Sequence, residues 1–464
     1  MEKGPGNRPF SFSLEYHWPL FSREIPMTNI RLAVALLATS LALIGCGEDK
    51  KPEAKKPVAE EKKAAPPAVL EVKIGHVAPL TGGNAHLGKD NENGARLALE
   101  EANAAKIQLE GKQANFVLVP EDDQEDPKVG TTVAQKLVDA KVAGVVGHLN
   151  SGTSIPASPI YAQAGIPVIS GSATNPKLTE QGFKTQFRVV GRDDQQGPAI
   201  ASYLAEQNKP KLVAVVDDAS AYGEGIANEV EKTLKAANVK VLPREKGTNK
   251  TVDWKAVLTK LKGRKPDAVF YGGMTSTAGP LLKQGRELGI KAVFLFGDGA
   301  CEGEMAKLAG DAAEGFLCSQ AGIPPMASDK KFLESFKKKF GEDPKQYSPF
   351  TYDAANLLIE AMKKANSADP AKYLPELAKI SYKGATGQIA FDDKGDRKDA
   401  EITISVMKGG KLEPVAVVKA GKTIAFDGFV KGSGAAPAAA PAPAAEPAKD
   451  AEKKDEPKKE EAKK

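Results

Sequence analysis

The sequence predicts an α/β fold of two Rossmann-like lobes joined by crossovers, with a polar ligand cleft between them. Three observations predict it. Apolar strand-like runs alternate with amphipathic helical patterns, as parallel sheets covered by helices require. The alternation breaks at a polar stretch and restarts after Gly197. Short loops rich in Ser, Thr, Asn and Gly follow several of the strand runs.

Taken in order, Val72-Lys73-Ile74-Gly75-His76-Val77 reads as a first strand and Asn91 to Ala105 as its helix, with Leu97, Ala98, Glu101 and Ala102 around one face. Asn115 to Val119 is the next strand, Lys128 to Asp139 a helix, and Ala143 to Gly147 a third strand. A helix over Ile155 to Ala164 leads to the strand Pro167-Val168-Ile169. Beyond Gly197, Lys211 to Asp218 is a strand and Gly223 to Ala237 a helix; Val239–Leu242, Ala268–Gly272 and Ala292–Gly297 continue the sheet. Tyr347 to Lys364 forms an amphipathic helix that can return to the first lobe. Gly384 to Thr403 reads as hairpin and late strand, turning at Asp393-Lys394-Gly395-Asp396.

Three loops carry the polar chemistry. Gly147-His148-Leu149-Asn150-Ser151-Gly152-Thr153-Ser154 joins a strand end to a helix start, where free N–H groups and the helix dipole favour an anion. Ser170-Gly171-Ser172-Ala173-Thr174-Asn175-Pro176 is built the same way. Gly191-Arg192-Asp193-Asp194-Gln195-Gln196-Gly197-Pro198 reads as a polar crossover loop between lobes. Strand-end loops of this kind suit a small polar ligand held by hydrogen bonds, and they contain no nucleophile. Ser151 and Ser154 also serve as helix caps, a role compatible with binding.

The ends belong to neither lobe. Residues 1–26 read as a mis-called start ahead of Met27. Residues 27–45 have a positive start, a short apolar stretch and Leu43-Ile44-Gly45 before Cys46, the pattern of a lipoprotein signal peptide with Cys46 as the lipidated residue. That apolar stretch is too short for a permanent membrane span. Residues 46–67, rich in Lys, Glu, Ala and Pro, are expected to be a disordered tether. Residues 433–464 form an Ala/Pro then Lys/Glu tail. Lobe 1 is then expected from 68–191 plus 323–392, and lobe 2 from 192–322 plus 393–432.

Composition excludes several functions. A net charge of +5 over 464 residues, with no basic cluster interleaved with aromatics, argues against nucleic acid. The four histidines show no ligand spacing, so neither metal nor cofactor is expected. With Cys46 given to lipid, Cys301 and Cys318 are either a disulfide or two buried thiols. The first strand leads to Leu80-Thr81-Gly82-Gly83-Asn84 and not to a dinucleotide fingerprint. No Gly-Lys-Ser/Thr phosphate loop and no Ser/His/Asp set stands elsewhere, which argues against an enzyme.

The ordered set Asp122-Asp123 with Asp126-Pro127, Gly147-His148-Leu149, Pro156-Ala157-Ser158 and Ala173-Thr174 with Pro176 resembles the leucine/isoleucine/valine-binding proteins that feed ABC importers. Gln196-Gly197-Pro198, Tyr222-Gly223-Glu224-Gly225, Tyr271-Gly272-Gly273 and Ala313-Glu314-Gly315 extend the likeness over nearly all of Val72 to Val430. The resemblance implies the type I periplasmic binding fold and a role for each matching residue. Ser151 and Thr174 hold the α-carboxylate of a free amino acid, and Ser172 offers its backbone carbonyl to the α-ammonium. Tyr222 closes over the ligand from the second lobe, and Asp298 pairs with the ammonium.

Departures from the family pattern bear on specificity. Asp298 replaces a longer Glu. Leu87 and Met274 stand where aromatic residues usually wall the side-chain pocket, which favours an aliphatic ligand. Asn150 and Glu125 fall where some relatives carry a disulfide, and Asn150 favours a polar one. The expectation is a monomeric, periplasmic, lipid-anchored receptor that delivers an aliphatic amino acid to an ABC permease. The competing expectation is an amide or amino-acid sensor for a signalling partner.

Overall fold

The computed structural model describes residues 69–433. The expectations placed on the signal segment, Cys46, the tether and residues 434–464 lie outside the described residues.

The first half of the chain forms β1 (Val69–Ala78), α1 (Ala85–Ala104), β2 (Gln108–Leu109), β3 (Lys112–Asp122) and α2 (Pro127–Asp139). β4 (Gly144–Gly147), α3 (Ser151–Gln163), β5 (Val168–Ser170), α4 (Lys177–Glu180) and β6 (Gln186–Arg188) follow. These strands make a six-stranded sheet in the order β2-β3-β1-β4-β5-β6. Beyond the β2 edge it is parallel, with Val72 opposite Phe116 and Ile74 opposite Gly144.

A second sheet begins after α5 (Asp193–Gln207), with β7 (Leu212–Asp217), α6 (Ala221–Ala236), β8 (Lys240–Val241), β9 (Glu245–Lys246) and α7 (Lys255–Arg264). β10 (Ala268–Gly272), α8 (Thr275–Glu287), β11 (Val293–Phe296), α9 (Glu304–Ala309) and β12 (Leu317–Gln320) complete its parallel part. The chain then returns with α10 (Lys330–Phe340), α11 (Ser348–Ala365), α12 (Pro370–Ala378) and the hairpin β13 (Ser381–Gly384)–β14 (Gly387–Ala390). α11 packs along α1 and against β4, so this segment covers the first sheet. β15 (Ile402–Lys408), β16 (Lys411–Lys419), β17 (Lys422–Ala425) and α13 (Phe426–Ser433) finish the described chain, and β15 joins the second sheet antiparallel to β12. The chain therefore passes between the two sheets three times: after β6, after β12 and after β14.

Local chemistry explains the boundaries. β10 and the end of β1 are buried residue after residue, as parallel strands with helices on both faces must be. Asp126 caps α2 by accepting from the Lys128 and Val129 N–H groups, with Pro127 in the first turn. Ser220 caps α6 through the Gly223 N–H. α10 ends at Gly341 with φ of 75°, a left-handed position that favours glycine.

Two expectations are corrected. α1 starts at Ala85 and not at Asn91, because its polar first turns have partners far along the chain. The Asp90 carboxylate accepts the N–H groups of Lys345, Tyr347 and Ser348 at 2.9–3.0 Å, which tethers the start of α11. Gly191–Pro198 is not a loop throughout, since α5 begins at Asp193. Asp193 and Asp194 lie in its first turn, where the dipole favours acids, and the Gln195 side chain accepts the Arg192 N–H at 3.0 Å.

Cys301 and Cys318 form a disulfide with Cα atoms 5.3 Å apart, closing a 17-residue separation over β12. Replacing both by Ala is expected to lower unfolding free energy by about 3 kcal/mol, measured by urea unfolding in oxidising buffer. An unchanged midpoint would show that the bridge adds nothing to the fold.

Candidate functional site

In each sheet the strand order reverses once, between β1 and β4 in the first and between β7 and β10 in the second. Ligands of open α/β sheets bind in the crevice at such switch points, outside the carboxyl ends of the strands. The loop after β4 carries Leu149, Asn150 and Ser151, and the loop after β5 carries Ser172 and Thr174. From the second sheet, Tyr222 opens α6 after β7, Met274 follows β10 and Asp298 follows β11.

Leu149, Asn150, Ser151, Ser172, Tyr222, Met274, Asp298 and Tyr347 line one small cavity between these loops. In this closed arrangement it has about 10 Å³ of free volume, the room of a single water. Six of the eight binding residues expected from the sequence meet there. Thr174 is buried on the neighbouring loop. Leu87 is not among the lining residues: it is fully buried in the first turns of α1, within the core.

The polar atoms fall into two groups. Those of the first group have hydrogen-bond partners in the protein. Tyr222 donates to Asp298 Oδ1 at 2.8 Å and accepts the Gly299 N–H at 2.9 Å. Gln196 donates to Asp298 Oδ1 and accepts the Asp298 N–H, both at 2.9 Å, while Tyr347 donates to Oδ2 at 3.0 Å. Gln346 donates to the Asp298 carbonyl at 2.6 Å. Ser172 Oγ donates to the Leu149 carbonyl and accepts from Asn91, each at 3.1 Å. Ser151 Oγ accepts the Asn175 N–H at 3.2 Å.

The second group, which includes Thr174 Oγ1, Asn150 Oδ1, Gln346 Oε1, Asn91 Oδ1 and both carboxylate oxygens of Asp193, is buried with no close hydrogen-bond partner among the described residues, although the Thr174 hydroxyl eases the Asp193 charge. Asp193 follows the crossover and donates its own N–H to the Thr174 carbonyl at 2.9 Å. Burial, and next the charge of Asp298, push the Asp193 carboxyl well above the usual carboxylate range. Burial raises Asp298 as well, against the donors from Gln196, Tyr222 and Tyr347. Two buried acids that feel each other's charge are a costly arrangement, which a cation relieves.

Gln196, Tyr347 and Asp193 were not singled out from the sequence as site residues, although Gln196 and Asp193 sit in a loop it marked as polar. Tyr347 carries no local signal, for it opens an ordinary amphipathic helix and meets Asp298 only through the return of α11.

Side chains also bridge the lobes at the cleft rim. Asn175 donates to the Ala221 carbonyl at 2.6 Å, and Asn84 accepts the Ser276 N–H at 3.1 Å. His86 on α1 meets the Glu302 carboxylate at 2.6 Å, which also accepts from Thr275 Oγ1 at 2.5 Å. Burial lowers the His86 pKa, but the bond to Glu302 and the charges of Glu302 and Glu304 outweigh burial and the repulsion from Lys345, and the net shift is upward. A raised histidine favours the closed form below its free value near 6.5, and that contribution fades as pH rises through the closed-form value. Ligand affinity should therefore fall from pH 6 to pH 9, and His86→Gln should flatten the profile. A wild-type profile that His86→Gln leaves unaltered would remove His86 from closure.

The chain matches the periplasmic binding protein family model over residues 71–411. It is 38% identical to Leu/Ile/Val-binding protein homolog 1 of Brucella abortus over 337 residues, 71% of this chain and 89% of that one. It is 36% identical over 335 residues to a leucine-, isoleucine-, valine-, threonine- and alanine-binding protein of Pseudomonas aeruginosa, 72% of this chain and 89% of that one. Among solved structures, the leucine-binding protein LivK of Thermotoga maritima superposes with a TM-score of 0.70 at 29% identity, covering 75% of this chain and 99% of that one. The branched-chain amino acid binding protein LivJ of Streptococcus pneumoniae, in complex with isoleucine, gives 0.67 at 29% identity, with 75% and 100% covered. Matched along its whole two-lobed core, the chain belongs to the periplasmic binding proteins, which bind solutes for transport and are not enzymes.

Proposed function

We propose that this protein captures a free α-amino acid with a largely aliphatic side chain and delivers it to the membrane subunits of an ABC importer. One observation carries the reading: Asp298 lines the closed cavity, a second buried acid, Asp193, feels its charge from the neighbouring crossover, and Asn150 Oδ1 on the cavity wall has no hydrogen-bond partner among the described residues. An α-ammonium placed between the two acids turns a buried repulsion into a charge-assisted bond. The α-carboxylate is received by the N-terminus of α3 at Ser151 and by the Thr174 hydroxyl. Leu149 and Met274 give the side chain apolar walls. Binding draws the rim residues of the two lobes together and so encodes occupancy as a shape that a permease can read.

In this reading the protein works outside the cytoplasm as a monomer, tethered to the membrane by lipid on Cys46. Among the described residues no helix is long and apolar enough to cross a membrane. The test is calorimetric titration of refolded, ligand-stripped chain with leucine, isoleucine, valine and phenylalanine. Saturable binding of the aliphatic set, lost in Asp298→Ala, supports the reading; no binding of any amino acid overturns it. For the tether, Cys46→Ser should release the protein from the membrane fraction into the soluble one.

A further inference from the structure

A second, larger cavity adjoins the ligand cavity at the cleft mouth. It has a volume of about 380 Å³ and shares Asn150, Tyr222 and Met274 with the inner one. Its other polar walls come from both lobes: Glu125 after β3 on one side, and Asp218 and Ser220 after β7 with Thr248 and Asn249 after β9 on the other. No Lys, Arg or His is among its lining residues. A bound amino acid whose α-groups are held at Ser151 and Asp298 would turn its side chain past Met274 and Asn150 toward this space.

Two features mark the space as an acceptor site and not a solvated rim. Asp218 is 1% exposed, and its Oδ2 has no close hydrogen-bond partner among the described residues, while Ser220 serves its Oδ1 through an N–H at 2.9 Å. Asn150 Oδ1 is likewise buried and unpartnered at the junction of the two cavities. Glu125 is half-buried and has Asn84 Nδ2 as donor at 2.8 Å. Burial, together with the charges of Asp123 and Asp218, outweighs the bonds from the Asn84 and Asn150 side chains and raises the Glu125 pKa to about 7. That is the behaviour of a carboxylate taken out of water, reinforced by nearby negative charge.

Resting on the amino-acid reading, we propose that the side-chain subsite ends in this acid-lined cavity. Asn150, Glu125 and Asp218 there select α-amino acids whose apolar stem carries a terminal nitrogen donor, an amide or an ammonium. The apolar stem lies on Leu149 and Met274, so short aliphatic amino acids still enter, but they leave the distal acceptors unused. An acid-ended side chain meets the negative charge of Asp218 and Glu125.

The experiment compares matched pairs by calorimetry on refolded, ligand-stripped full chain: lysine against norleucine, which share a stem, and glutamine against glutamate, which share a shape. The donor-bearing member of each pair is expected to bind at least about tenfold tighter. Glu125→Gln, which keeps a polar group of the same size for Asn84, and Asp218→Asn are each expected to cut the lysine-to-norleucine ratio severalfold. Norleucine binding as well as or better than lysine, or ratios that neither variant alters, overturns the proposal and leaves the amino-acid reading standing. Failure of all four amino acids and of leucine overturns both.

Discussion

Asp193→Asn is expected to weaken amino-acid binding by more than a hundredfold, because it removes one of the two carboxylates that would face the α-ammonium. Loss of one partner from a buried charge pair costs about 3 kcal/mol, roughly two decades in affinity. The same substitution should raise the stability of the ligand-free protein. In the folded state burial and Asp298 push the Asp193 pKa upward, so the folded protein holds a proton that the unfolded chain releases. Stability therefore falls as pH climbs from the free carboxylate value through the raised one, and a neutral amide escapes that loss. Opposite signs on binding and on stability are what a binding residue under strain produces, and a packing residue does not. Calorimetric titration and urea unfolding at pH 7 give the two numbers. Tight binding by Asp193→Asn, or a variant less stable than wild type, would remove Asp193 from the clamp.

The second large effect is expected at Asp396→Ala, and it falls on folding. Arg188 on β6 is fully buried, with Nε on Asp396 Oδ1 at 2.5 Å. Its Nη1 donates to the carbonyls of Ala173 and Asn175 at 3.0 and 2.9 Å, and its Nη2 to Thr179 at 2.7 Å. Arg192 reaches the other Asp396 oxygen at 2.7 Å. This cluster fixes the backbone of the loop that carries Ser172 and Thr174. Removing the carboxylate strands a buried guanidinium, which costs about 3–5 kcal/mol. Burial raises the Asp396 pKa, but Arg188 and Arg192 outweigh it and hold the carboxyl below its usual range. Its contribution is thus present above the free carboxylate value and lost as pH falls through the lowered one. Urea unfolding at pH 7 should show the full difference and at pH 3 a smaller one. A variant within 1 kcal/mol of wild type at pH 7 would mean that the pair is solvated in practice.

Periodicity located the strands well where burial is continuous. Ala268–Gly272 is a strand over the residues the pattern marks, and β7 and β11 differ from it by a residue at either end. Strand-end loops pointed to Ser151 and Ser172 and the family resemblance to Tyr222, Met274 and Asp298, and all five line one cavity. What the pattern missed depends on partners far along the chain. Ala85–Asp90 looks too polar for a helix until Asp90 is seen holding the N–H groups at the start of α11, more than 250 residues later. Tyr347 reaches Asp298 across 49 residues, and Arg188 meets Asp396 across 208. None of these pairs leaves a trace in local spacing. Leu87, placed at the pocket wall by the family resemblance, is buried in α1 and is not among the residues that line the small cavity.

The central claim is that the cleft recognises an amino acid through its ammonium, at the acid pair Asp193 and Asp298. The most direct measurement titrates ligand-stripped protein with leucine and with 4-methylpentanoate, the same molecule without its amino group. Saturable binding of leucine with no detectable binding of the deaminated acid is the predicted result. Comparable affinity for the two would contradict the account, because the buried acids would then have met no cation.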